Sequence, residues 1–236
     1  MSRSLIAGVL GSILLLAACE SKRPTAPGAA AEQPAAASPS GAQPASVAAP
    51  PVVSGTAKVG EKAPDFELSD LDGKPVKLSS YLGKTVVLEW FNPECPFVKN
   101  SHTKGSLVGT AEKHQKQGVV WLAINSGAPG KQGTGAEKNR AGKSSFGFSN
   151  PVLLDESGVV GKAYGAKRTP HLYVIDPKGV LVYRGAIDNS PDGEGESPEG
   201  GKLVNYVDAA LGDLAAGRAV TKPETEAYGC SVKYGS

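Results

Sequence analysis

One cysteine stands where a buried strand should give way to a helix. Residues 86–90 read VVLEW, nearly continuously apolar, and the loop Phe91-Asn92-Pro93-Glu94 leads into Cys95 and Pro96. A thiol attacks only as its thiolate. A cysteine in the first turn of a helix sits near unpaired backbone N–H groups and the positive end of the helix dipole, and both favour that thiolate. A thiol pair built on one turn needs a second cysteine three places on, and that place holds Val98. The chain has three cysteines, Cys19, Cys95 and Cys230. If Cys19 is spent elsewhere, Cys230 in the C-terminal tail is the remaining candidate for a second sulfur. The alternative for Cys95 is a buried structural cysteine, which is usually inert.

The elements that must position Cys95 can be read from periodicity and turn residues. Short strands are expected at Pro64–Leu68 and Val76–Leu78, joined by the turn Leu71-Asp72-Gly73-Lys74, with a helical turn at Ser79–Gly83. Val86–Trp90 is a strand buried on both faces. A helix is expected to start at or near Cys95 with Pro96 in its first turn, to break at Gly105 and to resume over Ser106–Gln117. Val119–Ile124 is the next buried strand. A Gly-rich loop covers Ser126–Gly135, followed by a polar helix over Ala136–Phe146. Val152–Leu154 is a short strand and Val159–Tyr164 a short helix. His171–Asp176 and Val180–Gly185 alternate and are joined by Pro177-Lys178-Gly179, a hairpin. Lys202–Leu214 carries apolar residues at helical spacing. The expected fold is α/β, three layers, with helices on both faces of a central mixed sheet.

The N-terminus reads differently. Arg3 precedes an apolar run, Leu5–Ala18, of about 14 residues, too short for a bilayer core of about 30 Å and suited to a signal peptide. It ends Leu16-Ala17-Ala18-Cys19, which resembles the bacterial lipobox. That resemblance implies a signal peptide over 1–18 and lipidation of Cys19. With Glu20 next, it places the chain on the bacterial envelope, lipid-anchored at the outer membrane and facing the periplasm. Residues 19–56 are rich in Ala, Pro, Ser and Gly and bury too little to fold, so a disordered tether is expected before a domain at 57–236. In such an oxidising compartment the two remaining cysteines are expected to pair.

The stretch from Val59 (VGEKAPDFELSDLDGKPVKLSSYLGKTVVLEW) resembles the alkyl-hydroperoxide-reductase/thiol-specific-antioxidant superfamily of the thioredoxin fold. ECPFVK, LAINS, LLDESGVVGKAYGAKRTP, LVYRGAIDN and GCSVKY are similar to its peroxiredoxin-like redoxin group. The resemblance implies a thioredoxin-like sheet and a cis Thr169-Pro170 bond packed against the active cysteine. It also implies that Pro96, Thr169 and Pro170 contact substrate, with the Thr169 backbone pairing with an incoming peptide. It further implies that the GCSVKY tail folds back, so that Cys95 attacks and Cys230 resolves. A permanent structural disulfide and two unbonded thiols remain the alternatives. In peroxiredoxins the peroxide-reactive cysteine has Thr three residues before it and Pro seven before. Counted from Cys95 those places hold Asn92 and Leu88, and counted from Val98 they hold Cys95 and Phe91.

Thiol–disulfide exchange is therefore expected ahead of peroxide reduction, with a non-catalytic binding module as a third reading. The expected partners are a thiol-bearing protein or small molecule, a reductant of unknown identity, and the membrane through the anchor. A net charge of +2 without a basic stripe excludes a nucleic-acid partner. No cofactor is expected. His102 and His114 read as surface residues, and His171 as either a base near Cys95 or a residue facing away. The dispersed histidines give no zinc or haem spacing, a copper-type Cys-x-x-x-Cys pair is missing, and the acidic run Asp188–Glu199 lacks calcium-loop spacing.

Overall fold

The computed structural model describes residue 53 and residues 55–236. The signal peptide, Cys19 and nearly all of the tether lie outside the described residues. Strands β1 (Glu67–Asp70) and β2 (Pro75–Lys77) form a hairpin, followed by a 3-10 turn at Leu78–Tyr81. Then come β3 (Val86–Trp90), α1 (Pro96–Thr103), α2 (Thr110–Gln115) and β4 (Val120–Asn125). Helix α3 (Ala136–Ser145) leads to β5 (Val152–Leu154) and α4 (Val159–Tyr164). The chain continues through β6 (Arg168–Thr169), β7 (His171–Ile175), β8 (Leu181–Gly185), α5 (Tyr206–Ala215) and β9 (Cys230–Ser231).

Seven strands form one mixed sheet in the order β2-β1-β5-β4-β3-β7-β8. The β3–β4 and β4–β5 pairs are parallel and need the crossovers through α1–α2 and α3; β3–β7 and β7–β8 are antiparallel. Strand β3 is central and buried throughout, which is why its sequence is a near-continuous apolar run. Its alternate residues serve two cores. Val86, Leu88 and Trp90 pack with Leu122, Ile124, Tyr173 and Tyr164 of α4. Val87 packs with Trp121, Leu172 and Val174 under Ala111 of α2 and Val207 and Leu211 of α5. Burying side chains such as Val86, Val87 and Leu88 contributes about 1.5–3 kcal/mol each. The three-layer mixed architecture is the one expected.

The element bounds depart from expectation where side chains intervene. Strand β1 starts at Glu67 rather than Pro64, because Asp65 turns its carboxylate back to accept from the N–H groups of Phe66 and Ser79. Helix α2 starts at Thr110 rather than Ser106, after Gly109 in the left-handed conformation. Helix α5 starts at Tyr206 rather than Lys202, because Asn205 caps it, its side chain accepting from Asp208 N–H at 2.9 Å. The β7–β8 turn is held by the Asp176 carboxylate, which accepts from Lys178 and Val180 N–H.

Candidate active site

The loop after β3 presents Cys95 by a tight turn. Asn92 Oδ1 accepts from Glu94 N–H at 2.9 Å, and Asn92 carbonyl accepts from Cys95 N–H at 3.1 Å. Cys95 is the N-cap of α1 and Pro96 occupies the first turn, where its missing N–H costs nothing. Val98, at the place of a second sulfur, is fully buried and packs with Phe91, Cys95, Ala123 and Val152.

The Gly-rich loop buttresses this turn, which the sequence did not announce. Gln132 carbonyl accepts from Asn92 Nδ2 at 3.0 Å, and the Glu94 carboxylate accepts from Gly133 N–H at 2.7 Å. Glu94 also pairs with Lys138 of α3 at 2.8 Å. The Lys138 ammonium and the Gly133 amide hold its carboxyl below the usual range. Asn125 and Asn139 tie the same loop from beneath through Gly133 carbonyl.

The second half of the site comes from the far end of the chain. The Thr169-Pro170 bond is cis. Strand β6 pairs antiparallel with β9, with Thr169 opposite Cys230 and Arg168 opposite Ser231. Cys95 Sγ donates to Thr169 carbonyl at 3.1 Å and lies 2.7 Å from Cys230 Sγ. Both cysteines are free thiols in this structure, and a bond would bring the sulfurs to about 2.05 Å. Cys95 is 1% exposed, whereas Cys230 is partly exposed. Burial, and after it the neighbouring Cys95, pushes the Cys230 thiol up to about 11, while Lys233 and the Phe97 amide oppose the rise.

Several contacts fix the tail. Tyr228 hydroxyl donates to Asp188 Oδ1 at 2.7 Å, and burial and that carboxylate keep the phenol protonated. Lys233 carbonyl accepts from Ala128 N–H at 2.8 Å, and Tyr234 hydroxyl donates to Ala166 carbonyl at 2.8 Å. Gly229 fits closely against β6. Its φ is +114°, and a Cβ there would meet Thr169 carbonyl oxygen at 2.4 Å. Gly229→Ala should therefore lift β9 from β6 and separate the sulfurs. We expect its Cys95–Cys230 bond to form at least about tenfold less favourably in a glutathione buffer. Gly212→Ala, within α5 and with open space around its Cβ, should leave that equilibrium unchanged.

Two of the three histidines lie elsewhere than expected, and His171 takes the outcome in which it faces away from Cys95. His102 is buried, its Nε2 2.7 Å from Glu89 Oε1, while Trp121 Nε1 donates to Glu89 Oε2 at 3.0 Å. His102 stacks on Phe146 and Phe148. The signal was the carboxylate within VVLEW, since a buried charge needs partners. His114, read as a surface residue, is also buried, bonded to Asp208 at 2.5 Å; the signal was its three-residue spacing from Ala111, which is buried on the same face of α2. His171 faces the core of Trp90 and Tyr173 and bonds to Tyr173 hydroxyl at 3.2 Å, so it is no base for Cys95. Arg184 pairs with Glu224 at 2.9 Å. Asp188 in the acidic run is buried, held by Ser190 N–H and Tyr228.

Burial, then the charges of Arg184 and Lys167, depresses His171 to about 3 from 6.5. As pH falls, the unfolded chain takes up this proton first. The stability carried by the neutral ring is complete above pH 6.5 and is lost between 6.5 and 3, at about 1.4 kcal/mol per pH unit. Between pH 7 and 4.5, urea denaturation of His171→Gln should therefore show about 2–3 kcal/mol less loss than the parent.

Among the described residues, no cluster of three or more His, Cys, Asp or Glu could hold a metal ion. The family model for Redoxin matches residues 58–200, which include Cys95, Thr169 and Pro170 and stop short of Cys230. The thiol-disulfide oxidoreductase ResA of Geobacillus thermodenitrificans is 36% identical over 122 residues, 51% of this chain and 65% of its own length. The chloroplastic peroxiredoxin Q of Triticum aestivum is 30% identical over 132 residues, 56% of this chain and 60% of its own length. The chain thus spans less than two thirds of these two curated relatives. Two solved structures match more fully. A hypothetical protein from Sinorhizobium meliloti is 28% identical with a TM-score of 0.66, over 78% of this chain and 98% of its own. An uncharacterized conserved protein from Geobacillus kaustophilus is 32% identical with a TM-score of 0.65, over 80% and 98%. With the family model matching well over half of its length, this chain belongs to the Redoxin family.

Proposed function

We propose that this protein is an oxidoreductase that exchanges thiols and disulfides through Cys95 and Cys230. The observation that carries this reading is the 2.7 Å separation of two free sulfurs, one of them at the start of a helix. The relatives named thiol-disulfide oxidoreductase support it. In the cycle, the Cys95–Cys230 disulfide takes two electrons from an outside pair of thiols and becomes a dithiol. The dithiol returns them to an outside disulfide. One sulfur of the pair carries the outside sulfur as a mixed disulfide, and the other closes the ring by attacking it. Pro96 is exposed beside Cys95, and Thr169 and Pro170 wall the site from the other side. The partners are a thiol-bearing protein or small molecule and a separate reductant. A lipid at Cys19 holds the domain at the envelope surface.

Mass mapping of the domain across a redox buffer tests this. A Cys95–Cys230 bond that opens near about −200 mV is the expected result. A bond that persists below about −300 mV, or two thiols that never pair, overturns it. Rapid peroxide consumption would move the activity to peroxide reduction.

A further inference from the structure

The two sulfurs differ in how they meet solvent, and the difference runs against the order expected from sequence. Cys95, at the helix start, is 1% exposed. Its thiol is turned to Thr169 carbonyl and roofed by Cys230. The backbone edge at Thr169, the approach expected for a peptide, is paired with the chain's own β9. Cys230 is partly exposed. A cleft of about 530 Å³, lined by Arg168, Asp188, Tyr228 and Gly229 among others, runs up to the residue before Cys230. An attacking sulfur must approach the atom it attacks along the bond being broken, so exposure decides which sulfur of a disulfide is available.

We infer that Cys230, not Cys95, is the sulfur that exchanges with the outside thiol or disulfide, and that Cys95 acts only within the chain. This rests on the reading that the pair exchanges. In the oxidised protein, an outside thiolate attacks Cys230 Sγ. A new S–S bond forms there, the Cys95–Cys230 bond breaks, and Cys95 leaves with the electron pair and takes a proton from water. A second outside thiolate attacks the outside sulfur of the mixed disulfide and frees Cys230, which is protonated in turn. Two outside thiols are oxidised to a disulfide and the protein disulfide is reduced to two thiols. In reverse, the Cys230 thiolate opens an outside disulfide, and Cys95 attacks Cys230 Sγ to expel the bound half. The Phe97 amide and Lys233 offset only part of the rise that burial and Cys95 impose on the Cys230 thiol, so it is exposure, not thiolate character, that favours Cys230.

Oxidised glutathione is the probe. Reduced full-length Cys95→Ser and Cys230→Ser variants are incubated with it, and adduct formation is followed by mass spectrometry. Cys95→Ser should acquire glutathione at Cys230 at least about tenfold faster than Cys230→Ser acquires it at Cys95. Equal rates, or a faster Cys230→Ser, overturn the inference. A measurement on the unaltered protein guards against a misfolded variant. Oxidised wild type is mixed with reduced glutathione and acid-quenched early, and the mixed disulfide is mapped. An adduct on Cys230 supports the inference and one on Cys95 overturns it. If wild type forms no adduct and its pair never opens, the exchange reading itself has failed, and the inference with it.

Discussion

Cys95→Ser is expected to reduce thiol–disulfide exchange to the uncatalysed rate, a loss on the order of 10³-fold or more. The magnitude follows from what the pair supplies. Two sulfurs held 2.7 Å apart make the second exchange step intramolecular, and no outside thiol at ordinary concentration matches that. The serine hydroxyl can donate to Thr169 carbonyl as the thiol does, so the fold should survive and the loss should report chemistry. Cys230→Ser should lose nearly as much, and the double variant little more, because the sulfurs act as one unit. The measurement is turnover of a dithiol–disulfide pair by each purified variant. Retention of more than about a tenth of the parent rate by Cys95→Ser would remove the pair from the mechanism.

Glu89→Ala should cost about 3–5 kcal/mol of folding stability, a large part of the roughly 5–15 kcal/mol of an ordinary domain. Glu89 is wholly buried in the middle of the central strand. Its two oxygens meet His102 Nε2 and Trp121 Nε1, so one carboxylate joins α1, β3 and β4. Removing it leaves both ring nitrogens without their partner in a site walled by Phe91, Phe146 and Phe148. Glu89→Gln keeps the shape and an acceptor, and should lose about half as much. Denaturant midpoints at constant slope provide the measurement. A loss below about 1 kcal/mol for the alanine variant would mean that these contacts contribute little net stability.

Much of the scaffold was legible because it is written in local patterns. Strand β3 follows from VVLEW, helix α4 from the run after Gly158, and the start of α1 from Cys95-Pro96. The cis peptide at Thr169-Pro170 and the return of the tail came from family resemblance rather than from any local rule. The partnership of β6 with β9 had no local signature, since a two-residue strand has no alternation to read. His102 and His114 were misplaced for a related reason. Periodicity reports which face of a helix turns inward, but their carboxylate partners lie 13 and 94 residues away in sequence. The Gly-rich loop over Ser126–Gly135 read only as a loop. Its role as the wall behind Cys95 depends on Gly133 meeting Asn92 and Glu94 across the fold.

The roof over Cys95 also bears on how the protein ages. Irreversible oxidation of a cysteine proceeds from sulfenic to sulfinic acid when an oxidant returns before a second sulfur does. Here the returning sulfur is already in place, and Thr169 carbonyl and β9 close the route by which another oxidant would arrive. The same two-residue ladder that completes the site therefore shields its inner sulfur from terminal damage. Any cut that removes the last eight residues takes the shield and the second sulfur together.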